Sequence, residues 1–98
     1  MHKAIRMLKK IPKGRVATYK ELARVCRISP RAVGRIMAGN EDPANFPCYK
    51  VVSSSGELCG YSAPGGIRRK RELLERDGIA FDYRGRVEKK HFYFFCAP

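Results

Sequence analysis

The chain has 98 residues, which suffices for one small domain with a modest core. Lys and Arg number 21 against 9 Asp and Glu, a formal net charge of +12 that favours a polyanionic partner over an acidic peptide. No long apolar run exists and residues 1–10 lack the apolar segment of a signal peptide, so a cytoplasmic chain (nuclear if eukaryotic) with no membrane partner is expected.

Ala4, Leu8 and Ile11 recur at helical spacing and predict a short amphipathic helix over 1–10, ended by Pro12 and Gly14. Residues 15–18 read as a brief extended link. Thr18 and Glu21 have the spacing of a capping box, in which the hydroxyl and the carboxylate each satisfy a free amide. The helix that follows carries Leu22, Ala23 and Cys26 on one face and runs out near Arg27. Ser29 is a good N-cap and Pro30 a good first helical residue, because its missing amide proton is not needed there. Ala32, Val33, Ile36 and Met37 continue this helix to Gly39. Two short helices joined by a tight turn, the second bearing Arg31 and Arg35, have the form of a helix-turn-helix. Two packed helices without DNA would give the same pattern.

Next comes a loop rich in Pro, Asn and Gly that presents Cys48 between Pro47 and the pair Tyr49-Lys50. Val51-Val52 predicts a short strand, and Gly56, Gly60 and Pro64-Gly65-Gly66 mark turns. A helix is predicted over 67–77, with Ile67, Leu73 and Leu74 inward and Arg68, Arg69, Lys70 and Arg71 mostly outward. Gly78 is its expected stop. Arg84-Gly85 predicts a hairpin turn, and Phe92, Tyr93, Phe94 and Phe95 read as core rather than as a base-stacking platform. No internal repeat, linker or second domain is visible.

Cys26, Cys48, Cys59 and Cys96 show no C-x-x-C spacing, and only His2 and His91 are available to join them, so no structural zinc is expected. A disulfide framework suits an ordinary helical core poorly. Cys26 reads as a small buried hydrophobe. A free thiol has a pKa near 8.5, so only about 3% is thiolate at neutral pH, and a nucleophilic cysteine needs a base or a positive neighbour. At Cys48 the local sequence offers Lys50, whose charge favours the thiolate, and Tyr49, a poor proton acceptor near pH 7.

The runs IPKGRVATYKELA, RAVGRIMAGN, PCYKVVSSSGELCGYS and LLERDG, in this order, resemble the DNA-binding and catalytic domain of the O6-alkylguanine-DNA alkyltransferases. That family typically shows IPxGxVxTYxxLA, RAVGxAxxxN, PCHRV, a GGYxxG-like segment and LLxxEG. The match runs from Ile11 to Gly78, roughly two-thirds of the chain, and an ordered set of motifs is far more specific than any one. The resemblance implies a mainly α, winged helix-turn-helix domain of three-helical-bundle type with a small β element. The family's usual N-terminal domain is expected to be absent, the chain being similar in size to the alkyltransferase-like proteins. A monomer that binds duplex DNA and flips a damaged base, without cofactor or metal, is expected.

By resemblance, Cys48 is the acceptor thiol that takes an alkyl group from guanine O6 once and irreversibly. The helix from Pro30 lies in the minor groove, where Ala32 and Gly34 allow close approach. Arg31 fills the gap left by the flipped base, Arg35 contacts DNA, and Tyr19 helps to rotate the nucleotide out. Tyr61 and Ser62 hydrogen-bond the flipped purine, Pro47 and Val51 line its pocket, and Asn40 braces the active-site turn. Asp77 stands where the family has a glutamate. Alkyltransferase-like proteins usually replace the acceptor cysteine, which this chain retains.

Two departures bear on the chemistry. The family's PCHR reads Pro47-Cys48-Tyr49-Lys50 here, so the histidine that relays the thiol proton is a tyrosine. A phenol with pKa near 10 against histidinium near 6.5 is a difference of about 5 kcal/mol at most. Lysine for arginine at position 50 changes the donor geometry. Together they leave open a pocket retuned for another lesion, such as a deaminated purine, chemistry with Lys50 as an amine nucleophile, or lesion binding without transfer.

Overall fold

The computed structural model describes residues 2–59 and 65–95. Helix α1 (Lys3–Met7) is capped by the His2 ring, which accepts from the Ala4 amide at 3.0 Å, and it tightens into a 3-10 turn over Leu8–Lys10. The extended link predicted after it pairs as β1 (Ala17–Thr18). Helix α2 (Tyr19–Cys26) begins on the Thr18 hydroxyl, which accepts from the Glu21 amide at 2.9 Å. It ends at Arg27, whose left-handed φ of 57° turns the chain.

Helix α3 (Pro30–Ala38) starts on the Ser29 hydroxyl, which accepts from the Ala32 amide at 3.1 Å. Helices α2 and α3, joined by the short turn at Arg27–Ser29, are the helix-turn-helix that the cap signals predicted. A 3-10 turn at Cys48–Lys50 leads into β2 (Val51–Val52), and helix α4 spans Gly66–Arg76. The remaining chain makes a hairpin whose turn brings Phe81 opposite Val87, with the Gly85 amide donating to the Asp82 carbonyl at 3.0 Å. This is the mainly helical, winged helix-turn-helix architecture with a small β element.

The short parallel ladder divides the interior. Strands β1 and β2 pair with Ala17 opposite Val51 and Thr18 opposite Val52. Because side chains alternate along a strand, Ala17 and Val51 face a core built from α1, α2 and α3, including Leu8, Leu22, Val33, Met37 and Phe95. Val16 and Val52 face a second core with Leu74, Ile79 and Val87. Cys48 belongs to the first core, and Tyr49 packs on the second. The 3-10 turn therefore sits at the seam, which is why adjacent residues meet different elements.

Three expectations need correction. The Glu21 carboxylate does not complete a capping box. It accepts instead from the Phe95 amide at 2.8 Å and from Arg24 at 2.9 and 2.7 Å, tying the helical core to the chain's last described residue. On α4, Ile67 is half exposed while Lys70 is fully buried, because the inward face is the stripe of Lys70 and Leu74. Phe94 stands 64% exposed, whereas Phe95 is buried and Phe92 and Tyr93 pack on the cores, so the aromatic run is core in three of its four residues. The predicted turn at Gly60 lies outside the described residues. Gly56 is required by close approach: a Cβ there would lie 2.5 Å from the Val87 carbonyl oxygen.

Candidate functional site

Cys48 opens the 3-10 turn and is 8% exposed. The loop before it is held by Asn40, whose amide nitrogen donates to the Phe46 carbonyl at 2.8 Å and whose oxygen accepts from the Asp42 amide at 3.1 Å. The Cys48 amide donates to that same Phe46 carbonyl at 2.9 Å. Asn40 thus fixes the peptide that in turn fixes the thiol residue. Pro47 is half-buried beside it, and Val51, fully buried, continues the turn into β2.

The residues after the thiol separate in direction. The Tyr49 hydroxyl donates to Asp77 Oδ2 at 2.6 Å, the length of a charge-assisted O–H···O bond. Asp77 occupies the end of α4, just before Gly78 at φ 86°, so the helix stop places the carboxylate. Lys50 is buried and its ammonium donates to the Ile11 carbonyl at 3.2 Å. Burial lowers its pKa, and the charge of Asp77 partly restores it. The ammonium expected to lend its charge to the thiol is hydrogen-bonded to the Ile11 carbonyl.

A second buried lysine, Lys70, lies on the inward face of α4, against the outward placement expected for it. Its Nζ donates to the Cys59 carbonyl at 2.9 Å and lies 5.8 Å from the centre of the Tyr19 ring. Burial brings its pKa down to about 8, opposed by the negative charges that Cys59 and Cys48 carry when ionised. The Tyr19 hydroxyl donates to the same Cys59 carbonyl at 3.1 Å. Burial, then the neighbouring Cys59 and Cys48, push that phenol up to about 12, so Tyr19 stays a neutral donor. The signal that could have found Lys70 is its register, four residues before Leu74 and seven before Asp77 on one helical face.

Together, Tyr19 from α2 and Lys70 from α4 clamp the carbonyl at which the chain enters residues 60–64. Tyr61 and Ser62, the expected purine contacts, lie outside the described residues. On the neighbouring surface, α3 exposes Arg31 and Arg35, with Ala32 and Gly34 partly open. A Cβ built on Gly34 meets nothing within 4 Å, so internal packing does not require the glycine. Among the described residues no carboxylate pairs with Arg31 or Arg35, which leaves the helix face both cationic and small-sided. None of the described residues forms a group of His, Cys, Asp and Glu able to hold a metal ion.

Residues 1–79 match the family model described as the DNA-binding domain of 6-O-methylguanine DNA methyltransferase. A methylated-DNA–protein-cysteine methyltransferase of Pyrobaculum aerophilum is 47% identical over 68 residues, covering 69% of this chain and 45% of that protein. A bifunctional methyltransferase/endonuclease of Picrophilus torridus is 41% identical over 90 residues, covering 90% of this chain and 29% of that protein. The chain therefore spans less than half the length of either relative. Among solved structures, an S. pombe ATL in complex with DNA superposes with a TM-score of 0.74 at 26% identity, over 93% of this chain and 91% of that one. Motif order, fold and these similarities agree: the chain belongs to the family of the 6-O-methylguanine DNA methyltransferase DNA-binding domain.

Proposed function

We propose that the chain is a DNA repair protein that binds duplex DNA through α3, takes up a flipped base and accepts the alkyl group of O6-alkylguanine on Cys48. The observation that carries this is the placement of the Cys48 thiol at the seam of the two cores, on a turn braced through the Phe46 carbonyl by Asn40. In the transfer, the Cys48 thiolate attacks the alkyl carbon. An S–C bond forms as the C–O6 bond breaks, its electron pair stays on the purine, and the purine takes up a proton. The cysteine leaves this step as a thioether, so the chain turns over once.

Arg31 would enter the stack where the base leaves, and Gly34 and Ala32 would let the helix approach the minor groove. Tyr19 would press on the rotated nucleotide. A second reading, lesion binding without transfer, is supported by the Tyr49–Asp77 bond, which commits the phenol to donation where the family has a proton-accepting histidine. Cys48→Ala separates the two readings. Under the transfer reading it abolishes labelling of the protein by a duplex carrying radiolabelled O6-methylguanine, while affinity for that duplex persists. Wild-type protein that binds tightly and takes no label would sustain only the second reading.

A further inference from the structure

A cleft of about 470 Å³, whose described lining does not include Cys48, lies between the first half of α4 and the hairpin. Four guanidinium groups line it, from Arg68, Arg71, Arg84 and Arg86, against the single carboxylate of Glu57. Clustered like charges repel, and the site is stable only with counter-charge nearby. The counter-charge present is held loosely. Arg68 reaches Glu72 at 3.9 Å, Arg71 reaches Glu75 at 3.7 Å and Arg86 reaches Asp82 at 3.5 Å. Such loose, half-exposed pairs contribute little.

The Arg86 Nε is buried, and the acceptor it reaches, Asp82 Oδ2, lies at the loose distance of 3.5 Å. Arg71 is aligned by stacking on the Phe81 ring at 4.4 Å, and Arg84 lies over Tyr83 at 5.5 Å. These planar forks suit a phosphate, which each can grip through two donors. Arg84 and Arg86 lie beyond residue 79, where the match to the family model ends.

We infer that this arginine cleft is a second nucleic-acid contact that holds backbone phosphates outside the flipped-base footprint. The inference rests on the reading of the chain as a duplex-DNA binder. It makes binding depend on duplex length and adds to the salt dependence of affinity.

The test is the slope of log affinity against log salt on a lesion-free 30-base-pair duplex, for wild type, Arg68→Ala/Arg84→Ala and Arg31→Ala/Arg35→Ala. All four positions are exposed, so folding is not at risk. Each phosphate contact contributes a slope of about −0.9, and the cleft variant is expected to flatten the slope by about 1.8. An unchanged slope in the cleft variant, with a flattened one in the α3 variant, overturns the cleft and leaves the proposed function standing. The reverse pattern sustains the cleft and overturns the role of α3. No change in either overturns both. If the cleft variant instead loses only binding of polyglutamate, the site is for an acidic protein segment and the phosphate assignment falls.

Discussion

Tyr49→His restores a proton acceptor to a position now held as a donor. The Tyr49 hydroxyl sits 2.6 Å from Asp77 Oδ2, so its one proton is committed to the carboxylate. To accept the thiol proton it would first have to give that one up. An imidazole at this position can donate from one nitrogen to Asp77 and accept with the other. The intrinsic gap between phenol and imidazolium is about 5 kcal/mol, an upper bound because environment tunes both. General-base assistance from a placed side chain is usually worth about 10²–10⁴-fold. We therefore expect Tyr49→His to raise the single-turnover rate of methyl transfer to Cys48 by about 10²-fold, at unchanged affinity for a duplex with O6-methylguanine. Tyr49→Phe is the control. It leaves the half-buried Asp77 without its donor, costs about 1.5–3 kcal/mol in urea denaturation, and leaves the transfer rate where it was. A Tyr49→His rate within twofold of wild type, with lesion affinity intact, would refute the argument that the tyrosine limits thiol activation.

Lys70 makes the fold pH-dependent: its folded value of about 8 lies below the ordinary 10.5, so between them the unfolded chain binds a proton that the folded chain has released. Raising pH through that window stabilises the protein by up to about 3 kcal/mol, the gain is absent from Lys70→Met, and a wild-type-minus-variant difference that is flat from pH 8 to 10 would contradict it. Above pH 10 Tyr19, held near 12, works in the opposite sense, since the folded chain then keeps a proton the unfolded chain loses. Glu21→Gln should cost about 2 kcal/mol, because its buried carboxylate joins Arg24 to the Phe95 amide. The Arg24 hydrogen bond, helped by the Phe95 amide and opposed by burial, leaves the Glu21 pKa lowered, so its contribution fades as pH falls through that folded value, and the variant should show a shallower acid decline in thermal melts. Arg31→Ala should weaken binding to lesion-containing duplex by about 1–3 kcal/mol without moving the melting temperature, and unaltered affinity would show that α3 is not the recognition helix.

What the sequence made legible was local. Thr18 and Ser29 announced helix starts because a hydroxyl three residues before an orphan amide is a local arrangement, and Pro30 and Gly78 marked ends for equally local backbone reasons. The Arg84-Gly85 turn was legible for the same reason. Lys70 was hidden inside a run of arginines, because its burial is decided by an acceptor eleven residues away on another segment, the Cys59 carbonyl. The bond from Lys50 to the Ile11 carbonyl was hidden likewise, since that carbonyl comes from the start of the chain. Glu21 fitted a capping box by spacing, yet the Phe95 amide and Arg24 compete for its oxygens and win through three bonds in place of one. The pairing of Tyr49 with Asp77 was approachable only through motif resemblance, which set the two positions side by side without giving the donor and acceptor roles.

Intact-protein mass spectrometry after incubation with a duplex bearing one O6-methylguanine tests the central claim most directly. The account predicts a gain of one methyl group per chain, mapped to Cys48 and absent from Cys48→Ala. Unchanged mass, with tight binding to the same duplex, would contradict transfer and leave a protein that recognises the lesion without repairing it.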